Sequence, residues 1–525
     1  MKQKIKSNTI MFIMIMLFVM LFKEVFGETN KMVGIVILII GLVISEKDTT
    51  QNLRLLTLGL IIINVLMGVA SYIAMINPFW GLIVNIPFIF YVTYFTVQGN
   101  KKPYHFPFIL GYLFLMLSSP ATLEQLPGRL IALLAGSLMI VGLQYLFHRD
   151  TYKKVLKSQT AQVLLFLEKR VERILSHDAH IYQEEIDALA CGMKRFMKIT
   201  YERRSFKEPL SSESMERITE MIALEKMYHL LADIADEYEA GLLPEKMLLD
   251  LHQMIMDLKT GDSISAYTII DRWNDETLTP GALKLKEAFK MLKLSEHNEY
   301  PVLQEGLIIQ MTKEVDKESL AFKFAIRLTI LLSLGLFITT FLNLQYGRWL
   351  CFTILALVQP EYEESNKKTL MRFSGTLIGA VVFVILFSVF KTPNSHTMII
   401  LLSSYIGMYI QRYDQKMIVT TIQALGAAII GTTGAVVAWS RIYFVMLGTV
   451  IAYLGNKYLF SIHEKQVKEH YDELYERYKN HLLHDLEHYP HSTIVEAYHV
   501  LEMGGEDSKY QEWLDISFEI LSKSI

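Results

Sequence analysis

The chain has 525 residues, 52% of them hydrophobic, and a formal net charge of −3 at pH 7. Soluble proteins have roughly 45–50% apolar residues, and here the apolar residues cluster in long runs, which predicts an integral membrane protein. The small net charge argues against a nucleic-acid partner. Two cysteines suit neither a disulfide framework nor a cysteine-based zinc site. No phosphate-binding loop or nucleophile elbow occurs, so we expect no cofactor, no metal, no ATP-driven pump and no enzyme.

The apolar runs predict an all-α polytopic protein of about twelve spans. The first run is followed by Lys23 and Glu24 with no small-residue cleavage site, which indicates a retained span rather than a signal peptide. Several runs are short, which is typical of broken or re-entrant helices. The predicted spans cover residues 8–26, 31–46, 54–76, 79–97, 106–119 and 129–148, then 322–343, 347–360, 373–391, 396–411, 416–438 and 441–460.

The last span of each half carries the same pattern. Arg129 is followed by Gly136 and then by Tyr145-Leu146-Phe147, and Arg441 is followed by Gly448 and then by Tyr458-Leu459-Phe460. Duplicated membrane halves are typical of transporters, with the substrate path between them. Lysine and arginine are more frequent in the loops on the side of the N-terminus, which predicts parallel repeats with both termini in the cytoplasm and a multi-pass protein of the plasma membrane.

Four regions follow: a first transmembrane repeat (1–148), a cytoplasmic helical domain (149–321), a second transmembrane repeat (322–460) and a helical tail (461–525). The domain and the tail are rich in charge and have apolar residues at helical spacing. Histidines 481, 484 and 488 share a helical face that could hold a metal, but no second motif half accompanies them, so a solvated face is the preferred interpretation.

A motif near the start of the second repeat carries a family resemblance. It contains Arg327, then Tyr346-Gly347-Arg348-Trp349, Leu357-Val358-Gln359-Pro360, and Arg372 followed by Gly375-Thr376 and Gly379. This pattern resembles the fusaric acid resistance and aromatic acid exporter family, as does the plan of six spans, a helical insert and six more spans. The resemblance implies export of small organic anions, above all aromatic carboxylates. Ile44-Ser45 in the first half and Arg348 in the second depart from the family pattern.

Charged residues suggest the two ends of a substrate path. Arg327 and Arg372 could line a cationic cytoplasmic mouth that concentrates anions. Arg129 and Arg441, at equivalent repeat positions, could form an outer ring. The alternative for each is an anchor at the lipid headgroups.

Polar and aromatic residues suggest the middle of that path. Asn85, beside a proline, and Ser403-Ser404 are candidates for a midplane site, with the alternative that they satisfy one another between helices. Trp349 could stack on an aromatic ligand, and Gln359 of the signature turn is assigned to the same path. Gly375 and Gly379, like Gly136 and Gly448, are predicted to allow close helix packing.

The interpretation is an exporter of small organic anions that acts as a homodimer, and an accessory efflux subunit is a further candidate partner. No Asp, Glu or His occupies the middle of a predicted span, where proton-coupled carriers commonly bury one. An anion channel of the same architecture therefore remains open; the aluminium-activated malate transporter family resembles one six-span half. The other alternative is a membrane scaffold whose cytoplasmic domain binds a partner.

Overall fold

A computed structural model describes residues 2–97, 104–178, 180–203, 210–295, 317, 319–428, 434–484 and 490–524. In these ranges the chain is helical and contains no strand. The prediction of an all-α polytopic protein is confirmed: within the described residues, seven stretches are long and apolar enough to cross a membrane. The chain divides into two compact units, a membrane unit (Met1–Glu46, Leu56–Leu143, Glu314–Val467) and a soluble unit (Lys47–Leu55, Gln144–Lys313, Lys468–Ile525).

The first half of the membrane unit is built from six helices. They are α1 (Lys2–Phe26), α2 (Lys31–Ile44), α3 (Leu53–Ile76), α4 (Pro78–Val97), α5 (His105–Leu113) and α6 (Leu126–His148). A π-helical turn over Phe114–Ser118 continues α5.

The second half repeats this order. Its helices are α13 (Leu320–Phe341), α14 (Arg348–Leu357), α15 (Tyr362–Val389), α16 (Pro393–Gly407), α17 (Tyr413–Ala428) and α18 (Gly434–Tyr458). The predicted boundary between the last two spans, at residues 438–441, is wrong, because α18 already begins at Gly434. Glycine and alanine at this point are compatible with a helix start, and Arg441 therefore lies two turns inside α18 rather than at its end.

Helix length separates true spanning candidates from shorter helices. A spanning helix needs about 20 residues, whereas α14 has 10 and α2 has 14. Helix α14 rises about 15 Å, half the thickness of the hydrocarbon core. The count of twelve spans stays a prediction, and α14 in particular is a half-helix.

Contacts between the two halves join α4 to α13. Phe79 packs on Phe337 with ring centroids 5.6 Å apart, and Phe90 packs on Phe322 at 5.6 Å. Helix α5 meets α14 through Phe114 and Phe352 at 5.1 Å. The two halves thus share an apolar, largely aromatic seam.

The soluble unit is a helical bundle with its own core. It comprises α7 (Thr151–Leu175), α8 (Gln183–Glu202), α9 (Ser212–Glu239), α10 (Glu245–Thr260), α11 (Ser263–Ile270), α12 (Pro280–Ser295), α19 (Glu464–His484), α20 (His491–Gly504) and α21 (Tyr510–Ser524). Its core contains residues of both the helical domain (149–321) and the helical tail (461–525), since Tyr228, Phe289 and Trp513 lie in one apolar cluster.

Hydrogen bonds also connect the helical tail to the helical domain. The Thr219 hydroxyl and His491 Nε2 are 2.8 Å apart, and the Tyr510 hydroxyl donates to Glu225. Of the three tail histidines considered for a metal, His488 lies outside the described residues. His481 and His484 lie in the last turn of α19.

Candidate functional site

Arg327 holds the signature turn together. Its guanidinium donates to the carbonyls of Gln359 (2.5 Å) and Pro360 (2.8 Å), at the carboxyl end of α14, and to that of Phe460 (3.0 Å), after α18. The residue is fully buried, with 0% exposure. Carbonyls at helix carboxyl ends lack intrahelical donors, and a cation there also suits the helix dipole. In this conformation the guanidinium is therefore occupied by the protein's own backbone and is not open to an anion.

The Gln359 side chain also has local partners. Its Nε2 donates to the Ala356 carbonyl at 3.0 Å, and its Oε1 accepts from Lys368 Nζ at 2.9 Å. Lys368 in turn pairs with Glu364 at 2.7 Å. The motif residues Arg327 and Gln359 thus build one connection between α13, α14 and α15.

A second arginine cluster surrounds the amino end of α14. The guanidinium carbon of Arg441 lies 4.3 Å from the centroid of the Trp349 ring, and that of Arg348 lies 5.0 Å from it. Arg372, on α15, contacts Met417 of α17, and Arg441 contacts Thr421 one turn further along the same face of that helix. Three like charges therefore converge from α14, α15 and α18.

The partners of these guanidiniums are neutral and distant. Arg441 is 3% exposed and reaches only the Thr421 hydroxyl, at 3.4 Å. Arg372 is buried and lies 3.4 Å from the Tyr413 hydroxyl and 3.2 Å from the Met417 sulfur. The Nε atoms of all three arginines lack a hydrogen-bond partner in the described part of the chain.

Within the described residues, no counter-charge reaches the cluster. Residues 320–460 contain eleven Lys and Arg but four Asp and Glu. Three of these acids, residues 361, 363 and 364, lie at the start of α15, and Asp414 pairs with exposed Arg412 at 2.8 Å. Among the described residues no ion pair involves Arg348, Arg372 or Arg441. A buried charge without a partner is unfavourable by several kcal/mol, so the arrangement fits an anion from outside the protein.

Arg129 occupies the equivalent position in the first half, but its surroundings differ. It is 1% exposed and donates to the Ser119 carbonyl (2.6 Å), the Ser119 hydroxyl (3.2 Å) and the Thr29 carbonyl (3.5 Å). Both Arg129 and Arg441 lie inside their own half, and no contact within the described ranges joins them. The expected outer ring therefore has no support in the contacts of either residue.

Asn85 and the two serines lie in different halves and have partners near by. Asn85 is buried and accepts a hydrogen bond from the Tyr112 hydroxyl, which links α4 to α5. Ser404 donates to the Ile400 carbonyl of its own helix at 2.9 Å. Ser403 is half-buried on α16, a helix without buried residues. The described contacts do not join Asn85 to Ser403 or Ser404.

The four glycines all stand where helices come close. A Cβ on Gly375 would approach the Asp414 carbonyl oxygen to 2.6 Å, and one on Gly379 that of Ile418 to 2.7 Å. In both halves the last helix crosses the second one at a glycine: a Cβ on Gly136 would meet Ile37 at 2.4 Å, and one on Gly448 would meet the Leu350 carbonyl oxygen at 2.9 Å. Side chains at these positions would push the helices apart.

Two features of the membrane unit were not identified from the sequence. His105 begins α5 and is buried, and neither of its ring nitrogens has a partner in the described structure. His105 was missed because it precedes the predicted span 106–119, whereas titratable residues were sought in the middle of each span. The second feature is the combination of Arg348 with Arg441. Arg348 was visible as a departure from the family pattern, but residues 93 positions apart in the sequence carry no signal of proximity.

The fold and these sites define the class of the protein: a polytopic helical membrane protein with a second helical unit that has its own core. Residues 333–455 match the family described as fusaric acid resistance protein-like. The match covers most of the second half, including Arg348, Arg372 and Arg441, and confirms the resemblance inferred from the motif; Arg327 lies just before it.

Three curated proteins are similar to part of the chain. The inner membrane protein YccS of Escherichia coli K12 is 23% identical over 155 residues, which is 29% of this chain and 22% of that protein. An uncharacterized protein, ORF2, of Neisseria gonorrhoeae is 25% identical over 28% of this chain and 36% of its own. An uncharacterized protein of Haemophilus influenzae is 26% identical over 27% of this chain and 20% of its own.

The chain thus matches about a fifth to a third of the length of these relatives. No solved structure matches it.

Proposed function

We propose that the protein is a membrane transporter that exports small organic anions, with carboxylates as the chemical class. One observation carries the proposal: Arg348 and Arg441 share the Trp349 ring, Arg372 and Arg441 contact adjacent turns of α17, and none of the three has a carboxylate partner among the described residues. The match to the fusaric acid resistance-like family supports transport at the level of the class. The resemblance favours aromatic carboxylates and outward movement. We further propose a homodimer with cytoplasmic termini and no catalytic activity.

Radiolabelled anion flux in proteoliposomes tests this proposal. Vesicles loaded with benzoate or succinate should release the anion faster with the protein than without it. Arg441→Gln should lower the rate at least tenfold, because a charge-assisted contact to the anion is lost. Arg412→Gln removes an exposed arginine of the same half and should leave the rate unchanged. Equal rates with and without the protein, for every anion tested, would disprove transport.

An anion channel is the second candidate, and one observation favours it. Among the buried polar residues of the described membrane unit there is no Asp or Glu, and the one histidine is His105. A proton-coupled carrier usually has such a group in its path. Anion current that reverses at the anion's equilibrium potential and ignores a proton gradient would identify a channel; accumulation driven by a proton gradient would identify a carrier.

A further inference from the structure

We infer that Arg348, Arg372 and Arg441 bind one small organic dianion per chain, with its carboxylates on the guanidiniums at the amino end of α14. This inference rests on the proposed function and specifies its substrate class: a dicarboxylate rather than a monocarboxylate.

The number of charges argues for a dianion. Arg441 shares the Trp349 ring with Arg348, and it contacts α17 one turn from the contact that Arg372 makes, so three like charges lie near one another. A monocarboxylate would neutralise one guanidinium and leave two buried or half-buried positive charges uncompensated. A dicarboxylate neutralises two, and each carboxylate can accept paired hydrogen bonds from a guanidinium.

The Trp349 ring argues against recognition by aromatic stacking. Two guanidiniums already lie over this ring, at 4.3 Å and 5.0 Å from its centroid. Cation–π contacts of this kind hold Arg348 and Arg441 in place. The ring thus positions the cationic groups, and the ligand is selected by its charge.

The start of α14 adds to the positive potential. The helix begins at Arg348 after Gly347, and no side chain caps it. The amino end of a helix carries a partial positive charge and favours anions. Gly347 also lets the chain approach α13 closely, since a Cβ there would lie 2.5 Å from Thr339. The half-helix therefore directs its positive end toward the cluster that buried Arg441 defines.

The described residues of the first half form no equivalent site. Arg129 corresponds to Arg441, but the Ser119 and Thr29 oxygens already bind its guanidinium. After the aromatic-glycine pair that precedes the second helix, the first half has Glu28 where the second half has Arg348. Glu28 pairs with Lys23 at 2.6 Å. The two halves thus share the helix arrangement at this position, but only the second half has an excess of positive charge there. This difference predicts one anion site per chain.

Isothermal titration of the detergent-solubilised full chain tests the site without requiring transport. The probes are succinate, phthalate and benzoate at constant ionic strength. We expect succinate and phthalate to bind at least tenfold more tightly than benzoate, with one equivalent per chain. Arg441→Gln and Arg372→Gln should each weaken succinate binding at least tenfold, and Arg441→Lys should weaken it less. Arg412→Gln, which changes an exposed arginine of the same half, should leave succinate binding unchanged.

Several outcomes would overturn the site. These are benzoate binding as tight as that of phthalate, two equivalents per chain, or unchanged succinate binding in both glutamine variants when each has a wild-type melting temperature. If these variants do not fold, Arg441→Lys decides, because unchanged affinity and selectivity would exclude the guanidinium contact. Anion flux without dianion binding would contradict the proposed site but support transport. Dianion binding without anion flux would support the site but contradict transport.

Discussion

Four buried arginines of the membrane unit show how local partners decide the role of one residue type. Arg327 and Arg129 have carbonyl acceptors at 3.0 Å or less, whereas Arg441 and Arg372 reach only hydroxyls at 3.4 Å and a sulfur. Carbonyl oxygens stabilise a guanidinium by charge-assisted hydrogen bonds, so the first two hold the fold. The other two remain available to a ligand.

Arg327→Gln should destabilise the folded protein. Each buried carbonyl left without a donor costs about 1–3 kcal/mol, and glutamine cannot reach the three acceptors of Arg327. The melting temperature of the detergent-solubilised protein measures the effect, with Arg412→Gln as the exposed control. If the variant had the melting temperature of the wild type but no longer exported anions, Arg327 would instead have a role in the substrate path.

Helix packing depends on glycines at particular crossings and not on glycine in general. Helix α15 approaches the backbone of α17 at Gly375 and Gly379, where the nearest atoms include carbonyl oxygens that cannot rotate away. At Gly142, on α6, nothing lies within 4 Å of an added Cβ. The contact of α15 with α17 is therefore intolerant of side chains, and Arg372, one turn before Gly375, is positioned by it.

Gly379→Ala should lower stability by about 1–3 kcal/mol, because overpacking must shift α15 away from α17. Gly142→Ala should be neutral or stabilising by about 0.5–1 kcal/mol, since alanine favours helix and has open space. Unfolding by denaturant in detergent compares the two. If Gly379→Ala were as stable as Gly142→Ala, the close approach of α15 to α17 would be contradicted.

The attachment of the tail should depend on pH through Glu225. Burial raises the pKa of its carboxyl to about 7. A carboxyl with a raised pKa favours the docked state while it is protonated, so this contribution is complete below about pH 4.5 and is lost as pH rises through 7. Burial also lowers the pKa of His491 to about 4. The contribution of His491 has the opposite sign and is lost as pH falls below about 6.5.

Glu225→Gln isolates the first of these contributions, because glutamine stays neutral and His491 affects both proteins alike. At pH 8 the variant should protect residues 510–524 from hydrogen exchange more strongly than the wild type does. At pH 4.5 the two should be equal. A difference that did not change between these pH values would exclude Glu225 as the cause.

At the scale of the whole molecule, the two cysteines can show on which side of the membrane the soluble unit lies. Cys191 is exposed in the soluble unit, and Cys351 is buried in α14. The proposed topology places the soluble unit in the cytoplasm. A reagent that cannot cross the membrane therefore reaches this unit in inverted vesicles but not in intact cells.

A membrane-impermeant maleimide should label the protein in inverted vesicles and not in intact cells. Cys191→Ser should abolish the labelling, because Cys351 has no exposed surface. The label is measured by the mass shift of the protein on a gel. Labelling of wild-type protein in intact cells, with the membrane shown to be sealed, would reverse the proposed orientation.

The sequence by itself determined the all-helical, polytopic membrane class and the resemblance to the fusaric acid resistance family, whereas the division into two six-span repeats stays a prediction. These features depend on local apolar content and on motifs that are contiguous or nearly so, which are visible without coordinates. It also indicated Gly375 and Gly379 as candidates for close helix packing, because small residues four apart share one helix face. The predicted boundary at residues 438–441 was wrong because a charged residue was taken as the end of a span, whereas Arg441 is buried inside α18.

Only the tertiary structure decided which arginine serves the fold and which faces a possible ligand. Arg327 and Arg441 look alike in the sequence, as polar residues near the ends of apolar runs. Their difference arises from residues far along the chain: the Phe460 carbonyl for Arg327, and Trp349 and Thr421 for Arg441. A guanidinium is neutralised or left unpaired by what packs around it in space, and this depends on helix crossings that no local pattern encodes.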